Sequence, residues 1–288
     1  MLQAVTLNSG VRVRKQMGWL LPAALLLSSP WVQAADVDIP ALQKYSVGEH
    51  RSDKNVARNE YRHPARTLQW LGIEPDMSVV EIWPGGGWYT EILAPYLKDQ
   101  GNYTGAGFVL DSPDTSDFRK RVDKSFRSKL AANPDIYGKA NIAAIGSPSD
   151  WAPVPNGSAD AVLTFRNVHN WVKGGFEEKM FTAFFNMLKP GGVLGVIEHR
   201  ATAGTSIEDM KTSGYVTEGY VNELALKAGF VMSGASAINA NPLDSHNHPK
   251  GVWTLPPILR LGDENRMKYL AIGESDRMTL KFIKPFPQ

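Results

Sequence analysis

Val79-Val80-Glu81-Ile82-Trp83-Pro84-Gly85-Gly86-Gly87-Trp88-Tyr89-Thr90 is the stretch that decides the fold. A short β-branched run ends in a turn of proline and glycines, and an amphipathic stretch from Tyr89 to Leu97 follows it. The segment reads as strand, turn and helix. A turn without Cβ atoms lets backbone N–H groups and the next helix's N-terminus approach a ligand lying over the strand ends. Gly85 and Gly87 suit that task, and Glu81 stands where a carboxylate holds a ligand's ammonium or hydroxyl group. Taken alone, the same residues also describe a plain structural turn.

Upstream, Ala65, Leu68 and Leu71 recur every three residues after Pro64, and Gly72 follows as a terminator, so a short helix leads into the first strand. Residues 36–60 carry mixed charges with no period that buries a face, and are expected to wrap the surface. Downstream, strands are expected at 103–108, 142–145, 161–165 and 193–197, with helices at 116–131 and 177–188. Lys189-Pro190-Gly191-Gly192 turns the second helix into its strand. Alternation of strand with helix implies an α/β, doubly wound, mostly parallel sheet. A helix at 221–228 ends at Gly229, and 230–238 with 278–283 supply two closing strands, seven in all. Residues 239–276 form a proline-rich insertion longer than a connection needs, read as a lid.

With 43% hydrophobic and 21% charged residues, the 288-residue chain has an ordinary globular composition. It contains no cysteine, which excludes disulfides, zinc–thiolate sites and a cysteine nucleophile together. Arg12, Arg14 and Lys15 precede an apolar run from Met17 to Leu27, and Val32, Gln33 and Ala34 offer small residues where a signal peptidase reads. Residues 1–34 are therefore read as a signal peptide and 35–288 as a single domain, exported to the periplasm. The apolar run, interrupted at Pro22, is too short to favour a stable span of roughly 20 residues. Residues 1–34 hold three basic residues and no acidic one, so 35–288 carry 28 Lys plus Arg against 29 Asp plus Glu, a net charge of −1. That balance lacks the positive field needed for non-specific nucleic-acid binding, and no nucleic-acid partner is expected.

At this point the chain resembles the class I S-adenosylmethionine-dependent methyltransferases, and more narrowly a group of predicted exported bacterial methyltransferases. The resemblance is carried by Arg62-His63-Pro64, by Glu81 through Thr90, by Asn156-Gly157-Ser158-Ala159-Asp160-Ala161-Val162, and by Leu188-Lys189-Pro190-Gly191-Gly192. Gly251-Val252-Trp253-Thr254-Leu255-Pro256-Pro257 completes the narrower match. The resemblance implies a Rossmann-like methyltransferase fold with S-adenosyl-L-methionine as cofactor. Carried over by position, Glu81, Gly85 and Gly87 line the methionine and ribose end. Trp83 departs from the pattern, standing at its first glycine, so the turn must accommodate an indole pointing away from the cofactor. Gly107 stands where those enzymes place a ribose-binding acid, so either Asp111 takes over from the next loop or the ribose is held less tightly. Asp150 matches the acidic position that accepts from the adenine amino group, with Trp151 packing on the ring; a turn or helix cap is the plainer reading.

Methyl transfer from a sulfonium requires alignment, exclusion of water and, for a protonated acceptor, a base. Phe165-Arg166-Asn167-Val168-His169-Asn170-Trp171 leaves the fourth strand at the ligand edge, which makes His169 the candidate base with Asn167 beside it. Hydrogen bonding to the loop backbone is the competing role for both. Glu198, His199 and Arg200 leave the fifth strand at the same edge, to bind a polar acceptor or to form ordinary ion pairs. His63 reads as a cap or a ligand contact, and Trp88 and Tyr89 as faces for a sulfonium or as packing. Asp244-Ser245-His246-Asn247-His248 lacks a third strong ligand at recognisable spacing, so no metal is expected and the segment reads as surface loop or lid.

The leading expectation is a methyltransferase acting on a small-molecule acceptor. Export argues for a second reading, because the cofactor is made in the cytoplasm: an exported, non-catalytic ligand-binding protein on a degenerate methyltransferase fold. A dinucleotide-dependent oxidoreductase lacks its G-x-G-x-x-G spacing, and no G-x-S-x-G elbow of a serine hydrolase is present.

Overall fold

The computed structural model describes residues 39–112, 115–146 and 150–287. The signal peptide read at 1–34 lies outside them. Among the described residues, no helix is long and apolar enough to cross a membrane.

Four short helices come first: α1 (Ile39–Ser46), α2 (Asp53–Val56), α3 (Asn59–Arg62) and α4 (Pro64–Leu71). The expected Gly72 terminator caps α4 with φ 80°. The region expected to lack a buried face in fact docks α1 through Leu42, which is wholly buried. Then β1 (Ser78–Ile82), α5 (Thr90–Leu97), β2 (Asn102–Gly107), α6 (Asp117–Ala132), α7 (Pro134–Tyr137) and β3 (Asn141–Ala144) build one half of the sheet. The other half comprises β4 (Ala159–Phe165), α8 (Val168–Gly174), α9 (Glu177–Met187), β5 (Leu188–His199), α10 (Ile207–Ser213), α11 (Glu218–Ala228), β6 (Val231–Ser236), α12 (Arg266–Ile272) and β7 (Arg277–Ile283).

The strands lie in the order β3-β2-β1-β4-β5-β7-β6. The first five are parallel, and β7 runs antiparallel between β5 and β6. Alternation along each strand feeds two cores. Val80, Ile82, Val162, Leu194 and Val196 meet α8, α9 and α11 on one face. Val79, Ala161, Leu163 and Ile197 meet α1, α4, α5 and α6 on the other. The crossover direction reverses between β1 and β4, which opens a crevice at their carboxyl ends where ligands of open α/β sheets bind.

Candidate functional site

The turn after β1 forms one side of the crevice. Trp83, His63 and Arg166 are non-glycine residues in left-handed backbone conformations, with φ 48°, 38° and 62°, and such conformations persist where the surrounding structure enforces them. The Trp83 indole does not point away from the crevice. Its Nε1 donates to the Ile145 carbonyl at 3.0 Å, and its ring lies 4.8 Å from Phe108 and 6.1 Å from Phe176. The Arg119 guanidinium sits 4.8 Å above it. The indole thus becomes the wall of a cavity of about 490 Å³ at the ends of β2 and β3, lined also by Thr115, Gly146, Asn170, Lys173 and Phe176.

Gly85, at φ 58°, has no atom within 4 Å of where a Cβ would stand, so the turn is open there. Gly87 is different: a Cβ would meet the Phe126 ring at 2.9 Å, so its glycine serves the close approach of α6. Glu81 is buried beneath the turn rather than lining the cavity. Its Oε2 accepts from Thr90 at 2.9 Å and Tyr103 at 2.7 Å, while Oε1 makes no hydrogen bond among the described residues. Burial raises its carboxyl to about 7, against the opposing pull of the Tyr103 and Thr90 hydrogen bonds.

The remaining residues expected at the cofactor lie around rather than in this cavity. Asp111 is exposed, next to the lining residue Ser112. Asp150 is also exposed, and its contribution is a main-chain carbonyl that accepts from Gly146 N at 2.7 Å. Trp151 packs beside Phe176 and lines a separate cavity with Lys179 and Thr182. Buried Asp123 of α6 brings Oδ1 within 3.3 Å of where a Gly107 Cβ would stand and pairs through Oδ2 with Arg127 at 2.7 Å.

Across the crevice, Asn167 clamps the strand ends. Its Nδ2 donates to the carbonyls of Ile82 at 2.9 Å and Trp83 at 3.3 Å, tying the exit of β4 to the turn after β1. His169 is oriented by Glu198, with Nδ1 3.1 Å from Glu198 Oε1. The Asn170 amide lies 3.1 Å from Nε2; because that amide donates, the network assigns the proton to Nδ1 and leaves Nε2 as an acceptor. His199 lies beside them, its ring 5.4 Å from His169 and its Nδ1 2.6 Å from Ser275 Oγ. Burial holds His199 well below the usual imidazole range, reinforced by His169, Arg166, Arg277 and Arg62. His169, Glu198 and His199 bring potential metal-ligating atoms within 4.8 Å of one another, a grouping that sequence reading did not assemble. The positive field of those arginines opposes a dication there.

The insertion covers this edge. Asp244 anchors it by accepting from Tyr215 Oη at 2.9 Å, Asp276 N at 2.8 Å and His248 Nε2 at 2.8 Å. His246 Nε2 lies 3.0 Å from Asp276, so the Asp244–His248 segment is a hydrogen-bonded knot. Trp253 reaches from it to within 6.0 Å of the His169 ring. Arg200 pairs with Asp276 at 2.8 Å and with Glu218 at 3.1 Å, His63 joins α3 to α4, and Tyr89 stacks on Phe165 at 3.5 Å. Trp88 donates to the Asn55 carbonyl and packs under Arg51 and Arg62.

No family model matches the chain, nor does any curated protein. Solved structures do. A putative sarcosine dimethylglycine methyltransferase from Galdieria sulphuraria superposes with a TM-score of 0.55 at 12% identity, covering 88% of this chain and 94% of the other. The cyclase SpnF gives 0.51 at 14% identity, covering 86% and 92%. The putative methyltransferase crystallised with the Haloferax volcanii Trm112 methyltransferase activator gives 0.50 at 14%, covering 82% and 94%. At these identities the likeness is one of fold: the chain has the Rossmann-like methyltransferase fold, with its mostly parallel seven-stranded sheet.

Proposed function

We propose that the protein is a class I S-adenosylmethionine-dependent methyltransferase acting on a small-molecule acceptor, of the exported group, and that it works in the periplasm. One observation carries the reading: a cavity beside an open glycine turn shares the carboxyl edge of the sheet with an imidazole oriented by a buried carboxylate. Export rests on the basic and apolar pattern of residues 1–34.

The residues present fit the cofactor. Trp83, Phe108 and Phe176 offer apolar faces to a purine, and Asn170 and Lys173 offer polar partners at the rim. Gly85 leaves room for the amino-acid end. When bound, the cofactor supplies a methyl group on a positively charged sulfur. His169 supplies the base: Glu198 fixes its ring, and an acceptor hydroxyl or amine that displaces the Asn170 amide meets the Nε2 lone pair. Trp253 and the anchored insertion limit water at the same place.

Native mass spectrometry after incubation with S-adenosylmethionine tests the proposal. One bound molecule per chain, retained in His169→Gln, is expected. A folded protein that holds neither the cofactor nor its demethylated product would sink it.

A further inference from the structure

On the β4–β5–β7 side of the crevice, four arginines gather around one carboxylate. Arg58 and Arg62 come from the start and end of α3, Arg166 follows β4, and Arg277 opens β7 opposite His199. Arg58 Nε donates to Glu274 Oε1 at 2.5 Å and Arg62 Nε to Oε2 at 3.0 Å, while Arg277 Nη2 shares Oε2. Arg166 makes no side-chain hydrogen bond among the described residues. Its neighbouring charges include Arg277, Glu274, Arg58, Glu198 and Arg62. Counting Glu274 and Glu198, four positive charges meet two negative ones.

Half of this surplus is buried, at Arg62 and Arg277, while Arg58 and Arg166 are half-buried. Arg62 is 3% exposed and Arg277 2%, and Arg58 Nη2, Arg62 Nη2 and Arg277 Nε are enclosed without a partner. Unpaired buried donors are costly, and guanidinium keeps its proton, so the arrangement cannot relieve itself by neutralisation. Burial, then repulsion by Arg277, lowers Arg166 to about 10, still charged at neutral pH. The left-handed backbone of Arg166 is a further strain held at this spot. The cluster adjoins the glycine turn, because Tyr89 Oη donates to the Arg62 carbonyl at 3.3 Å. It also adjoins the pair that orients the proposed base, because Arg166 faces Glu198, the partner of His169, and His199 beside it feels Arg166, Arg277 and Arg62. None of the four arginines lines the β2–β3 cavity.

We infer that Arg58, Arg62, Arg166 and Arg277 form the acceptor subsite, and that the acceptor carries an anionic oxygen group, a carboxylate or phosphate, which Arg166 engages directly. The inference rests on the methyltransferase reading and narrows its substrate class. Guanidinium forks match both groups in a bidentate manner. The cofactor's own amino-acid carboxylate is the alternative source of the same chemistry.

Calorimetric titration of the protein saturated with S-adenosylhomocysteine separates the two sources. Succinate or inorganic phosphate should bind, neutral succinamide should not, and Arg166→Gln should weaken anion binding about tenfold or more, the worth of one charge-assisted hydrogen bond. The same variant should keep its affinity for S-adenosylhomocysteine and melt no earlier than wild type, since it breaks no hydrogen bond. Loss of S-adenosylhomocysteine affinity in Arg166→Gln would overturn the assignment by giving the cluster to the cofactor, and equal anion binding by both proteins would overturn it outright. The underlying reading fails separately: it falls if wild type does not bind S-adenosylhomocysteine, and anion titration of ligand-free protein still decides whether Arg166 holds an anion.

Discussion

Glu81→Gln should change how stability depends on pH. In the fold the Glu81 carboxyl is 2% exposed, and burial raises it from 4.5 to about 7. The folded state therefore holds this proton more tightly than the unfolded chain. The contribution is fully present below pH 4.5 and is lost as pH rises through about 7. A displacement of this size corresponds to about 3 kcal/mol. Glutamine does not titrate but keeps an oxygen for Thr90 and Tyr103. Other shifted groups, Glu274 and Asp276 among them, titrate in both proteins and cancel in the difference. Urea unfolding of wild type and Glu81→Gln from pH 4.5 to 8 should show wild type losing about 3 kcal/mol relative to the variant, most of it before pH 7. A difference that stays constant across this range would refute the reasoning, because it would mean that Glu81 is ionised in the fold at acidic pH.

Asn167→Ala strips donors from the Ile82 and Trp83 carbonyls and should cost about 1–3 kcal/mol in chemical denaturation; an unchanged midpoint would show that the clamp is not made. Glu274→Gln leaves two buried guanidiniums and one half-buried one without their anion and should cost about 3–5 kcal/mol, with a loss under about 1 kcal/mol contradicting the cluster's geometry. Burial pushes Asp276 up, but the hydrogen bonds from His246 and Arg200 outweigh it and bring it to about 2. Its stabilisation is present above pH 3.8 and lost as pH falls through about 2, so the penalty of Asp276→Asn should shrink over that window; a penalty indifferent to pH would exclude an ionic role. His169→Gln should slow release of demethylated cofactor about 10²- to 10⁴-fold in the presence of an accepted substrate, and a full rate would remove His169 as base.

Local patterns were legible where neighbours in sequence are neighbours in space. The Pro64 start and Gly72 end of α4, the strand–turn–helix at Ser78–Leu97 and the alternation of strands were readable because caps, turns and periodicity are local. The meeting of His169 with Glu198 was implicit, since β4 and β5 are parallel neighbours with Phe165 beside Ile197. What escaped depends on long-range partners. Arg62 and Glu274 are 212 residues apart, and nothing local marks either as buried. The charged stretch before α4 looked like surface because its one deep anchor is Leu42 and its Arg51 is matched by Glu91 at 3.0 Å. The direction of the Trp83 indole was not readable, because a left-handed residue sends its side chain where an ordinary backbone would not.

The central claim is a cofactor site at the glycine turn, and calorimetric titration with S-adenosylmethionine and its demethylated product tests it most directly, using wild type, Gly85→Leu and Gly157→Leu. Both glycines have positive φ, 58° and 67°, and neither has an atom within 4 Å of a Cβ position. The two substitutions therefore impose similar backbone strain, one at the crevice and one before β4 at the opposite edge of the sheet. The account predicts saturable binding by wild type and Gly157→Leu and none by Gly85→Leu. Equal binding by both variants, or no binding by a folded wild type, would contradict it.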